Sequence, residues 1–310
     1  MKEHQAREHI FEEKVKRLLQ DSGYISVVEE EVPGRSGYHD IHAYGRINIP
    51  TAFMYPVRII CQYKYYAKNK VELNHIRDFG GIMADVSEQN YAIQGEVKNI
   101  ADRYSYSGCF FSATAFSREA QEYAWAHNIF MVSLERIGVM QPILNKIDNF
   151  VAALSESTIN NISKQELLEG YEREVEEESI MPEAAIGIIN GVYPVMLIGK
   201  KNWLLPVLDE ACNSEIGKAY IDSVYRSENQ FEANFELSFM ESSAEFSVPV
   251  AVLEKLMERS DNNTKNNVVF NIDIPYVTNK GKKVFVSMEV FMEGFNKGDY
   301  TNKQISFFNL

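Results

Sequence analysis

The sequence predicts an α/β fold for its first half, a mixed β-sheet flanked by helices, followed by a smaller α+β or mainly β domain. In residues 1–154 apolar strand-like runs alternate with amphipathic helical segments, the order that builds a sheet covered by helices. From about residue 184 the pattern changes to a series of strand-like segments with one helical stretch. A polar, acidic segment ending in EREVEEES separates the two regions. These shifts divide the chain into residues 1–154, an acidic linker or helix over 155–183, and an accessory domain over 184–310.

The elements follow in order. Residues 3–21 place Ile10, Phe11, Val15, Leu18 and Leu19 at helical spacing, and Gly23 suits the cap after them. ISVVEEEV reads as a strand, PGRSG (33–37) as a turn, DIHAYG as a short strand and VRIICQYKYY as a longer one. Residues 70–84 read as a helix, and an irregular stretch runs to residue 107. GCFFSATAF (108–116) suits a buried strand, SREAQEYAWAHN a helix with Ser117 as N-cap, and IFMVSLERI another strand. Residues 137–154 carry an apolar helical stripe through Val139, Ile143, Ile147 and Val151. In the second region IGIIN, YPVMLIG, FELSFM, VVFNIDIPYV and VFVSMEVFM read as strands. PVAVLEKLMERS reads as a helix, and TNKGKK as a hairpin turn.

Composition bounds the function. No apolar run is long enough to span a bilayer, and the N-terminus is charged from its first residues, unlike a secretory signal. The three cysteines, Cys61, Cys109 and Cys212, are widely spaced, which argues against a disulfide framework or zinc site and for a reducing, cytoplasmic setting. The net charge is −13, but residues 1–150 hold 17 Lys+Arg against 19 Asp+Glu while residues 151–310 hold 14 against 25. The acidity belongs to the second half, so a basic groove in the first half stays open. No phosphate loop, nucleophile elbow or zinc-spaced Cys/His set occurs, so the chain carries no nucleoside-triphosphate motor of its own.

The stretch IICQYKYY (59–66) sets Gln62 and Lys64 two apart in an otherwise apolar strand. If this strand pairs with DIHAYG, Asp40 can meet them on one sheet face. A carboxylate with a second oxygen donor suits a hard divalent cation, and a lysine beside it can position water and offset charge on a phosphate. Taken alone, the three residues read equally as an ion pair at a sheet edge.

The order of motifs resembles the Mrr-like branch of the PD-(D/E)XK restriction-endonuclease superfamily. Residues 8–135 carry the helix FEEKVKRLLQDSGY, the turn and aspartate GRSGYHDI, the QYK strand, the helix VELNHIRDFGG, and the strand–helix–strand GCFFSATAFSREAQEYAWAHNIFMVSL. The resemblance implies that Asp40 binds metal, that Gln62 stands where the second acidic ligand is common, that Lys64 is the catalytic lysine, and that Glu12 completes the site from the first helix, with Glu13 its alternative. Gln62 adds no negative charge, so metal binding then leans on Asp40, Glu12 and the substrate phosphate.

The resemblance further implies a Mg²⁺- or Mn²⁺-dependent deoxyribonuclease that leaves a 5′-phosphate and serves restriction or antiviral defence. Arg35, Lys68, Lys70 and Arg77 flank the expected site and could contact DNA phosphates. His42, two residues beyond Asp40, reads either as a histidine satisfied within its strand or as a contact to substrate or metal-bound water. Cutting two strands with one site per chain makes a homodimer the economical assembly. Two other readings stand beside this one. One is a catalytically degenerate DNA-binding protein of the same fold, the other a signal-sensing or protein-interaction component centred on the acidic half.

Overall fold

The computed structural model describes residues 1–47, 55–66, 68–92, 104–174, 182–200, 217–225, 232–239, 242–249, 268–277, 283–292 and 305–306. It forms two compact units, Met1–Leu134 with Leu144–Val175, and Glu135–Ile143 with Glu176–Leu310.

In the first unit, helix α1 (Glu3–Asp21) is followed by strands β1 (Tyr24–Pro33), β2 (Tyr38–Ile47) and β3 (Val57–Lys64), helix α2 (Leu73–Ala92), strand β4 (Ser105–Ser112), helix α3 (Arg118–Ala126) and strand β5 (Ile129–Ser133). The sheet order is β1-β2-β3-β4-β5. The first three strands are antiparallel and the last three parallel, which gives the mixed sheet that the sequence predicts. All five apolar residues of the α1 stripe are fully buried. Burial of side chains of this size contributes about 1.5–3 kcal/mol each. Gly23 takes the left-handed conformation (φ 90°) that ends α1. Ser117 caps α3, its hydroxyl accepting from the Ala120 N–H at 3.3 Å.

Helices cover both faces of this sheet. Phe11 of α1 meets Tyr63 and Tyr65 edge-on, with ring centroids 6.3 and 5.4 Å apart. Phe79 of α2 meets Phe110, the β4 neighbour of Gln62, at 5.8 Å. Because strand residues alternate sides, these contacts lie on opposite faces.

Helices α4 (Gln141–Ala153), α5 (Glu156–Asn161) and α6 (Lys164–Glu174) follow. The acidic segment expected as linker or helix is therefore helical over most of its described length. α6 packs into the first unit through Tyr171, which is buried against Phe150 at 5.3 Å and lies under the Lys14 ammonium at 4.9 Å.

The second unit is mainly β. Its strands are β6 (Pro182–Ile189), β7 (Tyr193–Lys200), β8 (Gly217–Tyr225), β9 (Glu232–Phe239), β10 (Ser242–Pro249), β11 (Val268–Val277), β12 (Lys283–Met292) and the short β13 (Ile305–Ser306). Their order is β12-β11-β6-β7-β10-β9-β8-β13, and β12 also pairs in parallel with β8, from Met288–Gly217 to Phe291–Tyr220. That extra ladder closes seven strands into a ring, the arrangement that removes open sheet edges. A bulk-free Gly187 is required here, since a Cβ would press against Ile272 and Leu197. Of the expected helix PVAVLEKLMERS, Pro249 ends β10 and the rest lies outside the described residues, as does most of the TNKGKK turn.

Candidate active site

The site begins where β2 and β3 part. Their ladder runs from Arg46–Arg58 to Ala43–Cys61 and stops there, although β2 extends back to Tyr38 and β3 forward to Lys64. Beyond that point the two strand ends leave an opening, with Asp40 and His42 on its β2 side and Gln62 and Lys64 on its β3 side.

A β-bulge in β2 sets which way these residues turn. Val28 pairs with Tyr44 and Glu30 with Ile41, so three steps on β2 match two on β1. The extra residue shifts the alternation by one. Ile41 and Tyr44, three apart, both enter the core with Ile60 and Phe79. His42 turns instead against Tyr63, with ring centroids 4.2 Å apart. Asp40 shares His42's side, and its cross-strand neighbour is Glu31.

Asp40 is exposed, and among the described residues no hydrogen bond or ion pair occupies its carboxylate. Gln62 bridges the opening, its Nε2 donating to the Asp40 carbonyl at 3.3 Å. That bond orients the amide and leaves Oε1 as the outward oxygen.

Lys64 donates to Glu8 of α1 at 3.2 Å, and both are half-buried. Glu8 was not singled out by the sequence. Its signal was there, since Glu8 and Glu12 lie four apart on one helix face.

Glu12 itself is enclosed. It is fully buried, with the Lys16 ammonium 2.6 Å from Oε1 and Lys164 of α6 donating to Oε2 at 3.0 Å. Lys164 also bonds Glu29 of β1 at 2.7 Å, and His9 Nδ1 lies 3.6 Å from Oε2. Burial raises the Glu12 carboxyl, but hydrogen bonds from His9, Lys16, Tyr63 and Lys164 outweigh it and hold the group ionised, below the usual carboxylate range. Burial, then the Glu12 charge, push the Tyr63 phenol up, so it stays a donor. Glu13, the alternative to Glu12, pairs with Lys16 at 3.0 Å.

His42 is held below its ordinary pKa, first by burial and against the opposing pull of Glu12. Its Nδ1 is buried without a hydrogen-bond partner. It is thus a neutral imidazole beside the opening.

The turn before β2 is braced against α2. Gly34 N–H donates to the Gly37 carbonyl at 2.6 Å, Arg35 N–H to the Asp85 carbonyl at 3.1 Å, and Ser36 N–H to both Asp85 carboxylate oxygens at 3.1 Å. His39 Nε2 bonds Asp85 Oδ2 at 2.8 Å. A Cβ on Gly34 would collide with that carboxylate and with the His39 ring, so any larger residue would push this brace aside.

The expected phosphate contacts are less gathered. Arg35 and Lys68 are exposed and Lys70 is half-buried. Arg77 lies on α2 with its guanidinium 5.8 Å from the Tyr123 ring. The structure thus joins Gln62 to the Asp40 backbone, Lys64 to Glu8 and His42 to Tyr63, while Glu12, which bonds Tyr63, is enclosed by Lys16 and Lys164.

The oxygen set suits a hard cation only in part. Asp40 and the Gln62 Oε1 are the donors Mg²⁺ accepts, and Mg²⁺ is commonly held by one or two protein oxygens with water and phosphate completing its shell. Among the described residues no three His, Cys, Asp or Glu side chains converge as a ready-made metal site.

Comparison with known proteins bears on the same segment. No curated protein matches the chain. A solved structure titled "Crystal Structure of Protein of Unknown Function AF1548" aligns over 53% of this chain and 95% of its own, at 14% identity and a TM-score of 0.32. The family model described as a restriction endonuclease (Mrr catalytic domain) matches residues 4–140, which span α1 to β5 and hold every residue lining the opening. Residues 4–140 thus form an Mrr-like restriction-endonuclease domain.

Proposed function

We propose that the chain is a metal-dependent endonuclease that hydrolyses phosphodiester bonds in DNA, acting in restriction or antiviral defence. The observation that supports this reading is the opening between β2 and β3, where the Gln62 amide bonds the Asp40 backbone carbonyl and the Lys64 ammonium bonds Glu8, within the segment that matches the restriction-endonuclease family model.

Asp40 and the Gln62 Oε1 would hold the cation. Bound there, a divalent ion supplies a more acidic water and positive charge toward the phosphate. Lys64 places its ammonium beside the scissile phosphate and offsets charge as it builds on the non-bridging oxygens. Glu8 fixes the direction of that ammonium through the 3.2 Å bond. We assign the helix carboxylate of the site to Glu8 and not to Glu12, because Glu12 has no exposed surface and is already neutralised by Lys16 and Lys164. His42, neutral and next to the opening, is placed to accept a hydrogen bond from an ordered water. A homodimer would supply one such opening to each DNA strand.

Gln62 favours one rival. With an amide where a second carboxylate would strengthen metal binding, a chain that binds DNA without cutting it is the nearest alternative. The deciding experiment incubates the purified chain and a Lys64→Ala variant with plasmid DNA, methylated and unmethylated, in Mg²⁺, Mn²⁺ or EDTA. Metal-dependent nicking by the wild type alone supports the nuclease. Equal binding without cutting by either protein supports the rival.

A further inference from the structure

Tyr38 is the most exposed of the large apolar or aromatic side chains described, at 73%. A lone exposed tyrosine is ordinary. Three features of its setting are not.

First, its neighbours on both sides are fixed. Ser36 N–H and the His39 ring both bond the Asp85 carboxylate, and Gly34 closes the turn onto Gly37. The ring is therefore presented from a braced backbone, and ordering it on a ligand costs little beyond its two side-chain torsions.

Second, its direction is set. The β1–β2 ladder is regular across Glu31–Asp40, Val32–His39 and Pro33–Tyr38. His39 turns to Asp85 on α2, so Tyr38 and Asp40 stand on the opposite side of the strand.

Third, it is close. Two strand residues span about 7 Å, so the phenol ring begins one pleat from the Asp40 carboxylate.

From this placement we infer that Tyr38 stacks on a nucleotide base next to the scissile phosphate and sets how the substrate strand seats over Asp40. The inference rests on the nuclease reading above and names the ligand of that site as an unpaired or accessible base. Stacking on an aromatic ring tolerates every base, so the residue contributes affinity and register more than sequence preference.

The test uses the full chain, with Tyr38→Ala and Tyr38→Phe variants, in EDTA so that no strand is cut. Fluorescence anisotropy with short labelled duplexes and single strands gives affinity across a salt series. Because the side chain makes no buried contact, circular dichroism should report unchanged folding for both variants. Loss of the ring in Tyr38→Ala should weaken binding by about ten-fold, while Tyr38→Phe stays within about two-fold of wild type. The salt slope should not change, because a stacked ring neutralises no phosphate. In Mg²⁺ the alanine variant should raise KM with little change in kcat. Equal affinity for wild type and Tyr38→Ala overturns the inference, as does a phenylalanine variant as weak as alanine, which would assign the effect to the hydroxyl. If the unaltered chain neither binds nor cuts any of these DNAs, the nuclease reading falls and this inference with it.

Discussion

Lys64 and Glu8 are joined by a 3.2 Å bond that spans 56 residues of sequence and links the last residue of β3 to the first half of α1. The bond gives the lysine one direction. Replacing Lys64 with alanine should lower kcat by about 10²–10³ while leaving DNA affinity nearly intact, the loss that follows removal of one oriented charge at a developing oxyanion. Glu8→Gln should lower kcat less, because the ammonium remains but is no longer held. Single-turnover cleavage with both variants checks this, and a Glu8→Gln variant as active as wild type would exclude the carboxylate from the site.

Glu12 should behave in the opposite way. Its removal leaves Lys16 and Lys164 without their buried counter-charge. Lys16 is mostly buried, so Glu12→Ala should destabilise the first unit by about 3 kcal/mol. Lys164 is about a third exposed, and Lys164→Ala should cost about 1 kcal/mol. Urea unfolding measures both. A Glu12→Ala protein of normal stability with abolished cleavage would return Glu12 to the catalytic set.

Gln62→Glu should tighten Mg²⁺ binding in the absence of DNA. The substitution adds a negative oxygen donor next to Asp40 at nearly constant shape, and ligand charge is a main determinant of cation affinity. Titration calorimetry on the wild type and the variant would show it. Equal heats in the two proteins would mean that residue 62 does not face the cation.

The brace on the turn before β2 should depend on pH. The Asp85 carboxyl is held below its ordinary value of 3.8, chiefly by the His39 hydrogen bond and then by the Ser36 N–H. A depressed carboxylate stabilises the fold above its unfolded pKa and loses that contribution as pH falls through the folded one. The Ser36 amide signal should therefore shift in acid with a midpoint below 3.8 and lose that step in Asp85→Asn. Gly34→Ala should release the same turn at neutral pH, because its methyl group would displace the Asp85 carboxylate.

Much of this architecture is legible in the sequence where side-chain spacing records burial. The α1 stripe, the Ser117 cap and the run CFFS all report a local environment, and each sits as its spacing indicates. The geometry of the opening is not local. The bulge that turns His42 toward Tyr63 exists only in the register of β2 against β1, and alternation read along β2 alone would place His42 with Tyr44. The cluster around Glu12 draws on Lys164, 152 residues away, and no short-range pattern announces it. In the second unit β8 and β10 were not anticipated as strands. GKAYIDSVY and SSAEFSVP have too few apolar residues to stand out, and the ladders with β9 on both are what organise them.

The position of Lys164 sets the limits of the part that can stand alone. The family match ends at residue 140, yet α6 delivers the ammonium that neutralises Glu12 and inserts Tyr171 beneath Lys14 and Phe150. A fragment trimmed to the matched residues would keep every group at the opening and lose the counter-charge and the apolar cover beneath it. The evolutionary module and the autonomous folding segment are thus different lengths of chain, and the longer one reaches at least through Glu174.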